Sequence, residues 1–215
     1  MAGIVSYAGL TIEEVNGCCR GPLAVEVPCM DKVASDLLQM AEAAETSFGQ
    51  LTAEQLNWKP GPGRWSVAQC FDHLIVIQTG YFPILHQLAE GRYSPTPWER
   101  YSPFSGMFGR MLIRALEPNN TNKTKTAVMS EPSLEFLGAD IIKRFVQHQT
   151  ELVHHLKKLP AELTTRDVII TSPLSKLVTY SLSDCLTILV VHGQRHFRQA
   201  ERVVSDHNFP ATGAA

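Results

Sequence analysis

Apolar residues recur at steps of three and four positions in four long stretches of the chain, a spacing typical of helices that bury one face. Each stretch follows a polar residue that can cap the first turn of a helix. The predicted helices begin near Asp31, Ser66, Ser133 and Ser181. Ser66 is followed three residues later by Gln69, the spacing of a capping box, and Ser181 is followed in the same way by an aspartate. The pattern therefore predicts an all-α fold, a four-helix bundle.

A long stretch without sustained periodicity, residues 92–132, separates the second predicted helix from the third. It contains a short apolar-periodic piece from Phe104 to Leu116, which predicts an accessory helix. Connections of this length usually join parallel or crossed helices, so we expect a long crossover between helices 2 and 3. Pro83 should bend the second helix, and "DVIIT" is the one stretch whose pattern suits a strand.

The length of the chain suits one domain and is short for two. Residues 1–29 have no sustained periodicity and are expected to form an irregular N-terminal leader. Residues 30–208 should form the helical bundle domain, followed by a C-terminal tail, residues 209–215. The leader lacks a basic N-terminal region, and Glu13 and Glu14 interrupt its apolar residues, so it does not have the pattern of a secretory signal.

Composition excludes several classes of partner. Hydrophobic residues make up 44% of the 215, enough for a core, and 19 basic residues against 21 acidic ones give a formal charge of −2. A chain so nearly neutral has no electrostatic basis for binding nucleic acid or an anionic membrane surface. No apolar run approaches the roughly 18 residues that a membrane span requires. Five cysteines without regular spacing argue against a disulfide framework, so we expect a cytoplasmic protein.

Two histidines stand on the apolar face of the fourth predicted helix, His192 and His196, one turn apart. A buried imidazole costs free energy unless its nitrogens find partners, which can be side chains, water or a metal ion. His73 lies on the apolar face of the second predicted helix. Three neutral imidazoles from two facing helices would form one face of a metal site with open positions, as in catalytic zinc sites, and nickel or iron also accept such ligands.

Other residues compete for a place in this site. His148 also falls on an apolar face and is a fourth ligand, a residue behind the ligands, or a packed core histidine; we favour the last two. Cys70 is one turn from His73 but is expected to be a core residue, as is Cys185. Of the adjacent pair His154 and His155, at most one can face inward. The remaining histidines, His86 and His207, are expected to face solvent.

No motif identifies a catalytic residue. The sequence has no Gly-rich phosphate loop, no G-x-S-x-G and no H-E-x-x-H. Asp72 and Glu201 are the acids nearest to the histidines in sequence, without a reason to choose between them. Trp65 and Trp98 are candidates for lining a substrate pocket, although for Trp65 we favour a packing role at the end of the bundle.

The stretches "LTAEQLNWKPGPGRWSVAQCFDHL" and "HGQRHFRQ" together resemble the DinB/YfiT-like superfamily, over most of the span from Asp31 to Asp206. Relatives commonly read Arg-Gly-Gln where this chain reads Phe197-Arg198-Gln199, so the Gln is retained and the Gly is not. The resemblance implies a four-helix bundle with a long crossover and a divalent metal ion, often zinc or nickel in relatives. Carried over by position, the metal ligands are His73, His192 and His196.

The resemblance also implies an activity. Relatives include metal-dependent transferases that use low-molecular-weight thiols, thiol-dependent isomerases and hydrolases, and many form homodimers. We therefore expect a transferase or hydrolase acting on a small-molecule substrate, with thiol transfer to an electrophile favoured, because a cation holds a thiol deprotonated near neutral pH. The alternative is a non-catalytic, metal-stabilised, stress-related bundle that acts through a partner. A third hypothesis is a hydrogen-bonded histidine core without an ion.

Overall fold

The computed structural model describes residues 30–117 and 136–211, and most of these residues are helical, as the apolar spacing predicts. The helices are α1 (Met30–Phe48), α2 (Ala53–Asn57), α3 (Val67–Thr79), α4 (Phe82–Ala89), α5 (Pro97–Tyr101), α6 (Ser105–Leu116), α7 (Ile141–Lys157) and α8 (Leu182–Val204). Two strands, β1 (Ile169–Ser172) and β2 (Ser175–Ser181), lie between α7 and α8. The predicted leader, residue Ser133 and residues 212–215 lie outside the described residues. The third helix was predicted to include residues 136–140, and this is wrong, because these residues are not helical and α7 begins at Ile141. The predicted domain limits stay a prediction.

Helices α1 and α3 each pack against both α7 and α8, so the apolar faces of these four helices meet in the interior. One half of the core is built on aromatic rings. Phe71 lies 4.8 Å from Phe145 and 5.4 Å from Phe48, measured between ring centroids, and Phe197 lies 5.4 Å from Phe48. Because Phe71 is on α3 and Phe197 is on α8, the core holds together the two helices that carry the predicted ligands.

The second predicted helix is divided in the structure. α3 ends at Thr79 and α4 begins at Phe82, and the predicted bend at Pro83 is a break. Pro83 lies in the first turn of α4. The backbone N–H groups of a first turn make no hydrogen bond within the helix, so proline, which lacks an N–H, costs no hydrogen bond there. Gly80 lies against Pro173, since a Cβ at this position would come within 2.7 Å of the proline ring. A distant residue therefore packs closely against the chain at the break.

The stretch "DVIIT" contributes a strand, which adds a β-hairpin to the predicted all-α fold. β1 pairs antiparallel with β2, with Ile170 opposite Tyr180, and both side chains are buried. The sequence pattern predicts no strand over "SKLVTYS", which forms β2. β2 is stabilised by packing against α6, a contact that the spacing within β2 does not reveal.

The long excursion after α4 contains the predicted accessory helix, found as α6, and the short helix α5. α6 packs against α8 and β2. The buried carboxylate of Glu99 on α5 accepts bonds from the backbone N–H and hydroxyl groups of Thr96 and Thr171, and so ties α5 to β1. The excursion continues through residues 118–135, so the complete crossover stays a prediction. Among the helices of residues 30–117 and 136–211, none combines the length and apolar character that a membrane span requires.

Candidate metal centre

The start of α3, and with it the position of His73, is set by a capping box. The Ser66 hydroxyl accepts a bond from the Gln69 backbone N–H, and the Gln69 side-chain oxygen accepts one from the Ser66 N–H, each at 3.2 Å. This confirms the cap predicted from the S-x-x-Q spacing. The hydroxyl of Ser181 likewise accepts a 3.0 Å bond from the Asp184 N–H at the start of α8.

Helices α8 and α1 approach each other closely at Gly193. A Cβ at Gly193, the residue after His192, would come within 2.6 Å of the Met40 side chain on α1. Met40 is fully buried, so it has no solvent space into which to move. A side chain at position 193 would therefore have to displace the end of the Met40 side chain.

The three predicted histidines meet in the interior. His73 Nε2 on α3 lies 3.2 Å from His192 Nε2, which lies 3.0 Å from His196 Nε2 on the same helix. The donor atoms of all three rings lie within 4.8 Å of one another, and no ring exposes more than 9% of its surface. The expectation that three imidazoles from two helices converge is confirmed.

These distances suit a single divalent ion. Two nitrogens bound to one zinc ion at about 2.0–2.1 Å lie ~2.9–3.3 Å apart for bond angles between octahedral and tetrahedral values. The separations of 3.0 and 3.2 Å fall in that range. Because the donor atoms of all three rings also lie within 4.8 Å of one another, the three histidines could hold one metal ion.

Burial keeps the α8 imidazoles uncharged. It lowers the pKa of His192 to about 3, with further lowering by His73 and Arg195. Burial also moves the pKa of His196 well below its usual range, and the neighbouring His192 and His73 add to this effect. Neutral imidazoles are the form that binds metal ions. At neutral pH the site therefore offers nitrogen lone pairs and not positive charges.

The side chain of Gln199 selects the tautomer of one of the three histidines. His196 Nδ1 lies 3.1 Å from Gln199 Oε1, an oxygen that can only accept, so Nδ1 carries the proton and Nε2 keeps its lone pair. If His73 or His192 carries its proton on Nε2, that N–H points in one direction and can donate a good hydrogen bond to only one other ring. Hydrogen bonds alone thus leave lone pairs facing each other, whereas one cation accepts all three. This geometry argues against a core held together by hydrogen bonds between the three rings alone.

An aromatic residue covers part of the site. The Trp65 ring stacks on His196, with centroids 5.2 Å apart and planes 10° apart, and lies 5.0 Å from the His73 ring. The sequence favours a packing role at the bundle end for Trp65, and in the structure its ring also contacts two of the three imidazoles. Trp98 donates its Nε1–H to Leu177 on β2, and so its partner is the hairpin.

The competing residues lie elsewhere. His148 is buried with Nε2 3.1 Å from Thr79 Oγ1 and its ring stacked on Phe82, so it is a packed core histidine. Cys70 and Cys185 are buried free thiols, and burial raises the pKa of both, as expected for core residues. The remaining histidines that we expected to face solvent, His86 and His207, are exposed.

Within residues 30–117 and 136–211, no aspartate or glutamate joins the three histidines. Asp72 and Glu201 are thus not among the convergent donors. Arg195, which sequence reasoning did not single out, donates to the backbone oxygens of Ala115 and Glu117 at 3.2 and 3.3 Å. It ties the end of α6 to the helix that carries two of the histidines. The feature of the sequence that could have pointed to Arg195 is its position next to His196.

Comparison with known proteins agrees with this geometry. The family model described as the DinB superfamily matches residues 36–200, a span that contains all three histidines, Trp65 and Gln199. No curated protein and no solved structure matches the chain. Because the matched span is well over half of the 215 residues, the chain belongs to the DinB superfamily.

Proposed function

We propose that this DinB-superfamily protein binds one divalent metal ion through the Nε2 atoms of His73, His192 and His196. The observation that carries the proposal is the convergence of these three nitrogens, with pairs at 3.0 and 3.2 Å, in a buried site where the α8 imidazoles stay neutral. Zinc and nickel are the proposed metals, because both accept three imidazole ligands and keep further positions open.

The fold that we propose around this site is a four-helix bundle of α1, α3, α7 and α8. The packing of α1 and α3 against both other helices supports it. The long connection between α4 and α7 would be the crossover. In this arrangement the site lies between α3 and α8, where Gln199 and Trp65 hold the ring of His196.

The proposed activity is transfer of a low-molecular-weight thiol to an electrophilic small molecule, with hydrolysis as the variant in which water takes the place of the thiol. A bound divalent ion would act as a Lewis acid that lowers the pKa of such a thiol or water. The chain's own described cysteines do not supply the nucleophile, because Cys70 and Cys185 are buried and burial raises their pKa values. Within residues 30–117 and 136–211 no cysteine is therefore available as the nucleophile, which supports an external small-molecule thiol as a substrate.

The second candidate is a non-catalytic, metal-stabilised, stress-related protein that acts through a partner. The observation that favours it is the burial of the three imidazoles, of which none exposes more than 9% of its surface. Such burial suits a structural ion as well as a catalytic one. The two candidates differ in whether small molecules reach the ion.

Two further expectations belong to this proposal. A cytoplasmic location is supported by the free, buried thiols Cys70 and Cys185. A homodimer is supported by exposed apolar side chains on α6 and just before it, namely Phe104, Met107 and Met111.

Elemental analysis of protein purified without a metal-binding tag tests the metal site, and about one ion per chain is expected. The variants His73→Ala, His192→Ala and His196→Ala should each lose the ion, whereas His148→Ala, a buried histidine outside the group, should keep it. Consumption of thiols in the presence of electrophiles then separates the two candidates. Stoichiometric metal with no turnover of thiols or esters would favour the non-catalytic protein, and metal retained in all three histidine variants would refute the site.

A further inference from the structure

Trp65 occupies a rigid position immediately before α3. It precedes Ser66, whose side chain and backbone form the capping box with Gln69 and which is fully buried. The indole is half-buried and packs against the aromatic half of the core. The backbone that carries Trp65 is therefore held by the start of the same helix that carries His73.

The indole is the one tryptophan side chain of the described residues with ring contacts to the histidine site. It lies nearly parallel to the His196 imidazole, with planes 10° apart and centroids 5.2 Å apart, and 5.0 Å from the His73 ring at an angle of 60°. It thus contacts one ligand from α8 and one from α3. No other aromatic side chain of the described residues stacks on His196.

The side chains of Gln199, His192 and Trp65 contact the ring of His196. Gln199 binds Nδ1, and Nε2 faces His192, so both ring nitrogens are engaged in the plane of the ring. Rotation about the Cβ–Cγ bond of a histidine is broad, with few intrinsic preferences. The stacked indole restricts this rotation, because turning the imidazole would drive its edge into the face of Trp65. Stacking of aromatic rings also contributes favourable energy of its own.

We infer that Trp65 is a positioning residue of the histidine metal site, an inference that rests on the proposed function. Its indole holds the His196 ring at the angle that directs Nε2 toward the other two nitrogens, and it bridges that ring to His73. The metal affinity of the site, and the geometry around the ion, therefore depend on an aromatic ring at position 65. Groups that orient metal ligands typically change affinity by about 10–100-fold when removed.

The test uses Co²⁺ added to metal-free full-length protein, with the visible absorption of the bound ion as a report on its geometry and chelator competition as a measure of affinity. We expect Trp65→Leu to weaken Co²⁺ binding about tenfold or more and to alter the absorption spectrum. Trp65→Phe keeps a ring and should lie between the wild type and Trp65→Leu. If Trp65 only filled space, Co²⁺ affinity would not depend on whether position 65 carries an aromatic ring. A loss of affinity in Trp65→Leu that is partly restored in Trp65→Phe therefore indicates a positioning role.

Trp58 provides a matched control. It is half-buried in the same segment, packs against the same half of the core, and contacts Phe209 at 5.5 Å. Trp58→Phe should therefore change stability by as much as Trp65→Phe while leaving the Co²⁺ spectrum and affinity as in the wild type.

A second measurement does not depend on the stability of Trp65→Leu. Bound Co²⁺ quenches a neighbouring indole, so the fluorescence of the wild type should fall on binding, and this fall should disappear in Trp65→Phe but persist in Trp58→Phe. Wild-type protein that binds no Co²⁺ would overturn the proposed metal site and this inference with it. Wild-type binding with unchanged affinity and an unchanged Co²⁺ spectrum in the Trp65 variants would overturn the role of Trp65 alone, whatever happens to the quenching.

Discussion

The Nδ1–H of His196 donates to Oε1 of Gln199, 3.1 Å away and one turn further along α8. This bond leaves the lone pair of Nε2 on the side of the ring that faces His192. The retained glutamine of the "HGQRHFRQ" stretch therefore sets the tautomer of a proposed ligand. A residue that sequence reasoning noted only as part of a resemblance has a definite physical task in the site.

Removing the Gln199 amide should weaken metal binding without unfolding the protein. In Gln199→Ala, His196 can carry its proton on either nitrogen, and the fraction with a free Nε2 lone pair falls. We expect about a tenfold loss of metal affinity, measured by chelator competition. Gln39→Ala is the control, because Gln39 is exposed on α1 and its amide bonds only to Ser35. Equal affinities in Gln199→Ala and the wild type would contradict the assignment.

Chelation should lower the thermal stability of the wild type. An ion that binds only the folded protein, at 100–1,000 times its dissociation constant, adds about 3–4 kcal/mol to the free energy of unfolding. For a domain of this size, that corresponds to a Tm shift of roughly 10 °C. Scanning calorimetry with and without chelator measures the shift. In His192→Ala the chelator should have no effect, and a wild-type Tm that ignores the chelator would exclude a metal-stabilised fold.

The stability of the metal-free protein should fall in mild acid, partly through His148. Burial, aided by the charge of His155, lowers the pKa of His148 to about 4 in the folded protein, against about 6.5 when unfolded. Between these values the unfolded chain binds more protons than the folded one, so stability rises with pH. Above about pH 6.5 the free energy of unfolding is not reduced by protonation of His148. It falls as the pH decreases toward 4, by at most about 3 kcal/mol.

His148→Gln isolates this effect, since glutamine keeps a polar group near Thr79 and does not titrate. Urea unfolding at several pH values, with chelator present, should give a shallower decline for the variant between pH 6.5 and 4. The histidines of the metal site titrate in both proteins and cancel in the comparison. Parallel curves would show that the buried imidazole does not take up its proton on unfolding.

The capping box of α3 should matter for the site as well as for stability. Ser66→Ala removes the hydroxyl that binds the Gln69 N–H and should cost about 1 kcal/mol of unfolding free energy. It should also weaken metal binding, because the frayed turn carries Trp65 and precedes His73. Thr52→Ala removes the equivalent box from α2, which carries no ligand. Both variants should lose similar stability, measured by denaturant unfolding, and only Ser66→Ala should lose metal affinity.

Much of the local structure followed from the sequence because it depends on neighbours within one or two turns. The caps at Ser66 and Ser181 need only a polar residue and the backbone three positions later. The one-turn spacing of His192 and His196 places both rings on one face of any helix. The division of the second helix was visible only as a bend at Pro83, because the close contact between Gly80 and Pro173 joins distant parts of the chain.

The sequence by itself determined where the four long helices lie approximately, which face of each is apolar, and that His73, His148, His192 and His196 stand on such faces, since periodicity and capping act over short range. Only the tertiary structure decided that the His73 and His192 nitrogens, 119 residues apart, lie at 3.2 Å while His148 lies outside the group. It also decided that Trp65 stacks on His196 and that β2 pairs with β1. Such contacts depend on how whole faces pack, and residue order along a single helix does not specify that packing.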